Sequence, residues 1–365
     1  MSLLQKIKLL NQKYIDMRRL LIADIKSYNN NGKSTGHYFA VAQNYLDLYN
    51  DYFDVKVVGG PIFRNKFKRK NYFPLPHDFI EGENWIRNKI RIFKNCRFLL
   101  KNICKDDIVV IQQSGLSTIL LGIALFAKQN YNIYIISYDT DAISSKIKKC
   151  IYHFAKKKIK GLICPEERIM NAFNLSGCIV PDYIYSKEIE NFIQYNDKKY
   201  DIAILGRINA DKGVIEAARY LSNTKYKVLI AGKADENLIC DLKNICNSSS
   251  NIILNLDFIN DEDYNSYIRY SRYCLLNYHG TYNDRSSGVV LDNLFNGTPI
   301  LGHNCKALTF IEKDNLGYLF DGLKDIDFNL IFTENKYVSY QKNIIVYLKE
   351  HKKYKRKVIE FLNQS

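Results

Sequence analysis

Twice along its 365 residues the chain alternates short apolar runs rich in β-branched side chains with segments of helical periodicity, and this restricts the fold more than any other feature. The first series predicts a strand over 20–25, a polar loop over 27–36, a helix over 37–49 and a strand over 55–58 closed by Gly59, Gly60 and Pro61. It continues with a strand over 108–111, a helix over 116–128, a strand over 131–137, a helix over 143–157 and a short strand over 161–164. The second series predicts strands over 202–205, 227–231, 252–256, 274–277 and 299–301, separated by helices over 214–221, 237–246, 261–270 and 289–296. Strands that alternate with helices in this way form parallel sheets covered on both faces. The expected class is therefore α/β, with two doubly wound Rossmann-like lobes. Their expected limits are 1–190 and 191–335, with 336–365 a C-terminal helix that packs back on the first lobe. Ligands of such sheets bind beyond the carboxyl ends of the strands, so a cleft between the lobes is the expected site.

Composition narrows the setting. A chain that is 47% hydrophobic has material for full cores, which excludes disorder. No stretch reaches the roughly 18 apolar residues of a membrane span; the longest, 116–127, reads as a buried helix. Lys6, Lys8, Lys13, Arg18 and Arg19 interrupt every early apolar run, so no secretory signal is expected and the protein is placed in the cytoplasm. The nine cysteines are odd in number and lack a Cys-x-x-Cys pair, which suggests free thiols rather than a disulfide framework or a metal site.

The net charge of +15 is unevenly divided. Residues 1–190 hold 30 Lys and Arg against 17 Asp and Glu, whereas 191–365 hold 23 against 21. The densest basic stretches are 64–70, with Phe63 and Phe67 interleaved, and 146–160; residues 3–17 form a short basic amphipathic pattern. Such a surface attracts phospholipid head groups or nucleic acid, and solvated helix faces also account for it.

Two segments carry chemistry. In Asp284-Arg285-Ser286-Ser287-Gly288-Val289-Val290-Leu291-Asp292, Ser-Ser-Gly opens a helix between two carboxylates eight residues apart. Free backbone N–H groups at a helix start without a bulky side chain make a phosphate seat, and Asp292, one turn further on, is placed to accept from sugar hydroxyls; a plain Ser N-cap gives the same pattern. In Gly206-Arg207-Ile208-Asn209-Ala210-Asp211-Lys212-Gly213, a guanidinium and an ammonium follow the first strand of the second lobe. Together they suit the neutralisation of a diphosphate.

From about 201 to 322 the chain resembles the nucleotide-sugar-binding lobe of retaining glycosyltransferases of the GT-B fold, family 4 type. The matching pieces are Gly206-Arg207 with Lys212-Gly213, Ile230-Ala231-Gly232, the helix over 261–270, and Ser286-Ser287-Gly288-Val289 running into Asp292 and Gly297-Thr298-Pro299. Ile179-Val180-Pro181-Asp182-Tyr183 is similar to the family's lobe junction. The resemblance implies that Arg207 and Lys212 hold the donor diphosphate, while the amides around Ser286, Ser287, Gly288 and Val289 cap it. Asp292 would then bind the ribose and Asp284 approach the donor sugar. Both stand where the family has Glu. The loop containing Gly32 and Gly36, with His37 after it, resembles the family's glycine loop on the acceptor side. Tyr138-Asp139 stands where the family often has His-Asp, so Asp139 is a candidate active group.

The implied activity is transfer of a sugar from a UDP- or GDP-sugar to a glycan or lipid-linked acceptor with retention of configuration, without metal or cofactor, as in bacterial surface polysaccharide synthesis. Peripheral contact with an anionic membrane is expected, and nucleic acid is not expected as a partner. Three other readings compete. Asp139-Thr140-Asp141 after a strand matches the metal-binding Asp-x-Asp of the other large glycosyltransferase fold. Ser27-Tyr28-Asn29-Asn30-Asn31-Gly32-Lys33-Ser34 nearly spells a P-loop, with Ser in place of the first Gly. Finally, a non-catalytic basic protein that binds RNA or membrane would use the 28 Tyr and 19 Phe for stacking. No Gly-x-Gly-x-x-Gly supports a dinucleotide oxidoreductase.

Overall fold

A computed structural model describes residues 17–30, 33–34, 37–112, 117–180, 191–257, 259–283 and 287–364. Its first strand, β1 (Arg19–Ala23), carries Leu20, Leu21, Ile22 and Ala23 with no exposed surface, as an apolar run without alternation requires when both faces are covered. The chain continues through β2 (Tyr28–Asn30), β3 (Lys33–Ser34), α1 (His37–Tyr49), β4 (Asp54–Gly59), β5 (Tyr72–Pro74), β6 (Phe79–Ile80) and α2 (Trp85–Asn102). There follow β7 (Ile108–Ile111), α3 (Ser117–Phe126), β8 (Asn132–Ile136), α4 (Lys146–Lys156), β9 (Gly161–Cys164), α5 (Glu167–Phe173) and β10 (Gly177–Ile179). Seven of these strands form one parallel sheet in the order β10-β9-β8-β7-β1-β4-β5. The strand order reverses between β1 and β7. One face of the sheet packs on α2, α3 and α4 through Ile92, Leu99, Ile119, Ile123 and Tyr152. The other packs on α1 and on Val358 and Leu362 from the last helix.

Besides the short β5, β6, α5 and β10, which were not foreseen, two parts of this unit differ from expectation. The 18-residue α2 lies where no helix was foreseen. Its buried positions include Asn88 and Asn95, which break the apolar pattern because they bind backbone: Asn88 Nδ2 donates to Ile80 O at 2.8 Å, and Asn95 Nδ2 to Ile25 O and His77 O at 3.0 and 2.7 Å. The expected loop over 27–36 contains an antiparallel pair, Asn29 opposite Ser34 and Asn30 opposite Lys33. Lys33 and Ser34 are therefore strand residues, not the start of a helix, and the P-loop reading fails on that geometry.

The second series comprises β11 (Tyr200–Leu205), α6 (Val214–Leu221), β12 (Val228–Ala231), α7 (Glu236–Asn247), β13 (Ile252–Asn255), α8 (Asp261–Arg269), β14 (Ser271–Leu276), α9 (Gly288–Phe295) and β15 (Ile300–His303). Then come α10 (Thr309–Lys313), β16 (Gly317–Phe320), α11 (Phe328–Ile331) and α12 (Glu334–Asn363). All six strands are parallel, in the order β13-β12-β11-β14-β15-β16, and the order reverses between β11 and β14.

The chain divides into one unit of 1–186 with 353–365 and another of 187–352. The limits differ from those expected because α12 serves both cores: Tyr337, Tyr340, Ile344 and Leu348 are buried in the second unit, Val358 and Leu362 in the first. Residues 3–16 of the amphipathic pattern and the junction residues Pro181, Asp182 and Tyr183 lie outside the described residues. All nine cysteines are unbridged. Among the described residues, no helix is long and apolar enough to cross a membrane.

Candidate functional site

At the switch point of the second sheet, the loops that leave β11 and β14 lock together. Asp211 O accepts from His279 N–H at 2.7 Å, and Asp211 Oδ2 accepts from Thr281 Oγ1 at 2.5 Å. Gly213 adopts φ +56°, and a Cβ there would lie 2.4 Å from Asn277 Nδ2 and 2.6 Å from Asn277 O, so only glycine lets the loops approach this closely. Asn277 Nδ2 then donates to Gly213 O at 3.1 Å. The effect of this docking is to hold Lys212 inside.

Lys212 is 7% exposed, and burial lowers its pKa to about 8. The nearby Arg207 charge works in the same direction. Among the described residues the ammonium has no carboxylate and no hydrogen-bond acceptor; its recorded contact is the Tyr282 ring, 5.5 Å to the centroid. Gly206, at φ +88°, leaves open the space in front of it: a Cβ there would lie 3.6 Å from Lys212 Nζ and 3.4 Å from Val289 Cγ2. The ammonium and the first turn of α9 thus face one point.

That turn is prepared for an anion. Ser287, at the N-cap position with extended backbone, makes no side-chain capping bond. Its Oγ instead pairs with Tyr278 Oη at 2.8 Å, where burial drives the phenol pKa well above its ordinary value. Among the described residues the first amides of α9 have no capping side chain, and the helix dipole adds positive potential there. Asp292, one turn on and half-buried, accepts from Tyr264 Oη at 3.4 Å.

The structure therefore brings Gly206, Lys212, Ser287, Gly288 and Val289 to one place, with Asp292 beside them on α9. Arg207 is directed elsewhere. Its side chain is 74% exposed and its guanidinium donates to Asp235 Oδ1 at 3.0 Å. Asp284, Ser286, Gly32 and Gly36 lie outside the described residues, and His37 is placed only as the first residue of α1.

In the first unit, Asp139 Oδ1 accepts from Asp141 N–H at 2.9 Å, and both oxygens of Asp141 take Lys148 Nζ at 2.8 Å. This Asp-x-Asp is thus tied up as a turn and an ion pair. Sequence reasoning missed Gln112, directly after β7 at the first sheet's switch point. It is 1% exposed, and among the described residues neither Oε1 nor Nε2 has a hydrogen-bond partner. The available signal was a polar run, Gln112-Gln113-Ser114, directly after a four-residue apolar strand. Also missed were Asp235, Tyr278 and Tyr282, loop residues whose roles depend on contacts that no local pattern encodes.

No family model matches the sequence, and no curated protein matches it. Solved structures do. An E. coli structure described as trehalose-6-phosphate bound with UDP-2-fluoro glucose is 12% identical with a TM-score of 0.69, over 95% of this chain and 99% of that one. An α,α-trehalose-phosphate synthase (UDP-forming) from Burkholderia xenovorans, in complex with glucose-6-phosphate, is 9% identical with a TM-score of 0.66, over 95% and 100%. Anabaena HepE, in complex with UDP and glucose, is 11% identical with a TM-score of 0.60, over 96% and 100%. At such identities the likeness concerns the fold: two Rossmann-like lobes of the GT-B kind.

Proposed function

We propose that the protein is a retaining glycosyltransferase, family 4 type, that moves a sugar from a nucleoside diphosphate sugar to a hydroxyl-bearing acceptor. The observation that carries this reading is the buried Lys212 ammonium, without an anionic partner among the described residues, at a start of α9 that the Ser287 side chain does not cap. A buried cation is costly unless an anion meets it, and the backbone amides beside it complete a seat for a diphosphate. Lys212 and the amides of Gly288 and Val289 stabilise the negative charge that develops on the leaving diphosphate. Arg207 joins them by exchanging its exposed pair with Asp235, a bond of the kind that contributes little in water. In this reading Asp292 takes the ribose, Ser286 joins the diphosphate seat, and Asp284 serves the donor sugar. Structural neighbours that hold UDP-2-fluoro glucose, or UDP and glucose, support a uridine diphosphate sugar as the first donor to try.

The acceptor belongs to the first unit. Gln112 offers a buried carboxamide whose donor and acceptor are both unmet among the described residues, the chemistry that reads a sugar hydroxyl. Asp139, the loop of Gly32 and Gly36, and His37 are the other candidates on that side. A glycan or lipid-linked acceptor, as in bacterial surface polysaccharide synthesis, fits a basic first unit that works beside an anionic membrane. Thermal shift against a panel of nucleotides and nucleotide sugars tests the reading. UDP or GDP and their sugars should raise the melting temperature, and a Lys212→Met protein should lose that response. A flat panel, or an undiminished response in Lys212→Met, would remove the diphosphate site.

A further inference from the structure

Helices α2, α3 and α4 lie side by side over one face of the first sheet, with α3 in contact with both others. They carry Arg87, Lys89, Arg91, Lys94, Arg97 and Lys101 on α2 and Lys146, Lys148, Lys149 and Lys156 on α4. None of the three holds an Asp or Glu. Two of the ten cations meet carboxylates from outside the layer, Arg91 with Glu83 and Lys148 with Asp141. Apolar side chains stand among them on the same outer faces. Ile86 and Ile90, one turn apart, lead into Lys94, Arg97 and Lys101 along one stripe of α2. Leu121 and Leu125 are exposed on α3, and Ile147, Cys150 and Phe154 form an exposed stripe on α4, with Ile147 75% and Phe154 56% open to solvent. Trp85 is exposed at the start of α2, with Lys89 Nζ 4.2 Å from its ring centre.

We infer that this three-helix face docks on an anionic lipid bilayer. Helices that expose aliphatic and aromatic side chains among cations suit the boundary between head groups and acyl chains, where lysine meets lipid phosphate and leucine, isoleucine and phenylalanine leave water. A second copy of the chain does not complement the face, because symmetric pairing sets cations against cations. Nucleic acid would satisfy the charges but gives no partner to Ile86, Ile90, Leu121, Leu125 and Ile147. The inference extends the membrane setting proposed above to particular residues. It stands apart from the donor site, which nucleotide binding reports separately.

The test uses the full chain and vesicles of equal parts phosphatidylglycerol and phosphatidylcholine, with pure phosphatidylcholine as the neutral control. Co-sedimentation should favour the mixed vesicles and weaken as salt rises. A triple Lys94→Gln, Arg97→Gln, Lys101→Gln protein should partition onto them about a hundredfold less well, at about fivefold per cation. A triple Leu125→Ser, Ile147→Ser, Phe154→Ser protein should lose about tenfold or more by shedding its apolar contacts. All six positions are exposed, so UDP binding should stay at the wild-type level in both, showing that the fold is intact. Equal binding to neutral vesicles, or no loss in either triple variant, would overturn the proposal. So would unchanged vesicle binding by the serine triple together with loss of duplex RNA binding by the glutamine triple, since the face would then serve nucleic acid.

Discussion

The two units use positive charge in opposite ways. On α2 and α4 of the first stand ten cations, seven of them exposed to water. At the switch point of the second, a single ammonium, Lys212, is nearly enclosed. In water each exposed charge is screened and acts weakly, so a surface of this kind works by sum and tolerates loss of any member. Inside, where the dielectric is low, one charge without a partner among the described residues dominates its surroundings and favours an anion over any neutral ligand. Net charge, which is high in the first unit and near balance in the second, therefore points away from the site proposed above.

Replacing Lys212 by Met should break this contrast most severely. The side chain keeps its length and loses its charge. Turnover and UDP affinity should fall on the order of a hundred- to a thousandfold, as when one group that stabilises an anion is removed. The unliganded protein should melt at the same temperature or higher, because a buried ammonium with no carboxylate beside it among the described residues opposes folding. Loss of both binding and stability would instead make Lys212 structural.

Dependence on pH sharpens the same point. The Lys212 pKa is lowered from 10.5 to about 8 in the free fold, and a bound diphosphate favours the protonated form. Affinity should thus be full below pH 8 and weaken by up to about tenfold per unit as pH rises through that value. Stability of the unliganded fold runs the other way. Between about 8 and 10.5 the unfolded chain binds more protons at this site than the folded one, so this group's contribution to stability rises with pH across the window. Calorimetry with a nucleotide, paired with denaturant melts, separates the two slopes; affinity constant from pH 7 to 9.5 would exclude Lys212 from the site.

Arg207→Ala tests a cation of the second unit that resembles those of the first. It is exposed and paired with Asp235, so its removal should leave the melting temperature unchanged. If the guanidinium transfers to the diphosphate, turnover should fall about tenfold or more, the scale of a charge-assisted bond. Turnover equal to wild type would confine Arg207 to its pair with Asp235.

What the sequence disclosed follows the same division. Strands over 108–111 and 161–164 and the helix over 214–221 appear at the expected residues, because unbroken β-branched runs and a clean 3.6-residue period are local signals. The long α2 escaped because Asn88 and Asn95 occupy core positions to satisfy backbone from 25, 77 and 80, a demand made by the tertiary fold. At the site, Gly206, Lys212 and Gly288 were legible as a loop and a helix start. That Lys212 would be buried while Arg207 stayed outside was not, since it depends on Asp211 and Gly213 docking against 277–281 and on Asp235, twenty-eight residues from Arg207.

The smallest expected effect concerns one lysine of the first unit. Lys149→Gln removes a single exposed cation from α4 and should weaken partition onto mixed anionic vesicles only about fivefold, with UDP affinity and melting temperature unchanged. Lys94→Gln should do the same, and the double variant should give the product of the two effects, because well-separated exposed charges act independently. The slope of binding against salt should become shallower with each substitution, as fewer lipid charges are met. A single lysine whose loss abolished vesicle binding would show a specific head-group pocket rather than a diffuse surface. The two units would then use charge in the same way, and the contrast between sum and placement would not hold.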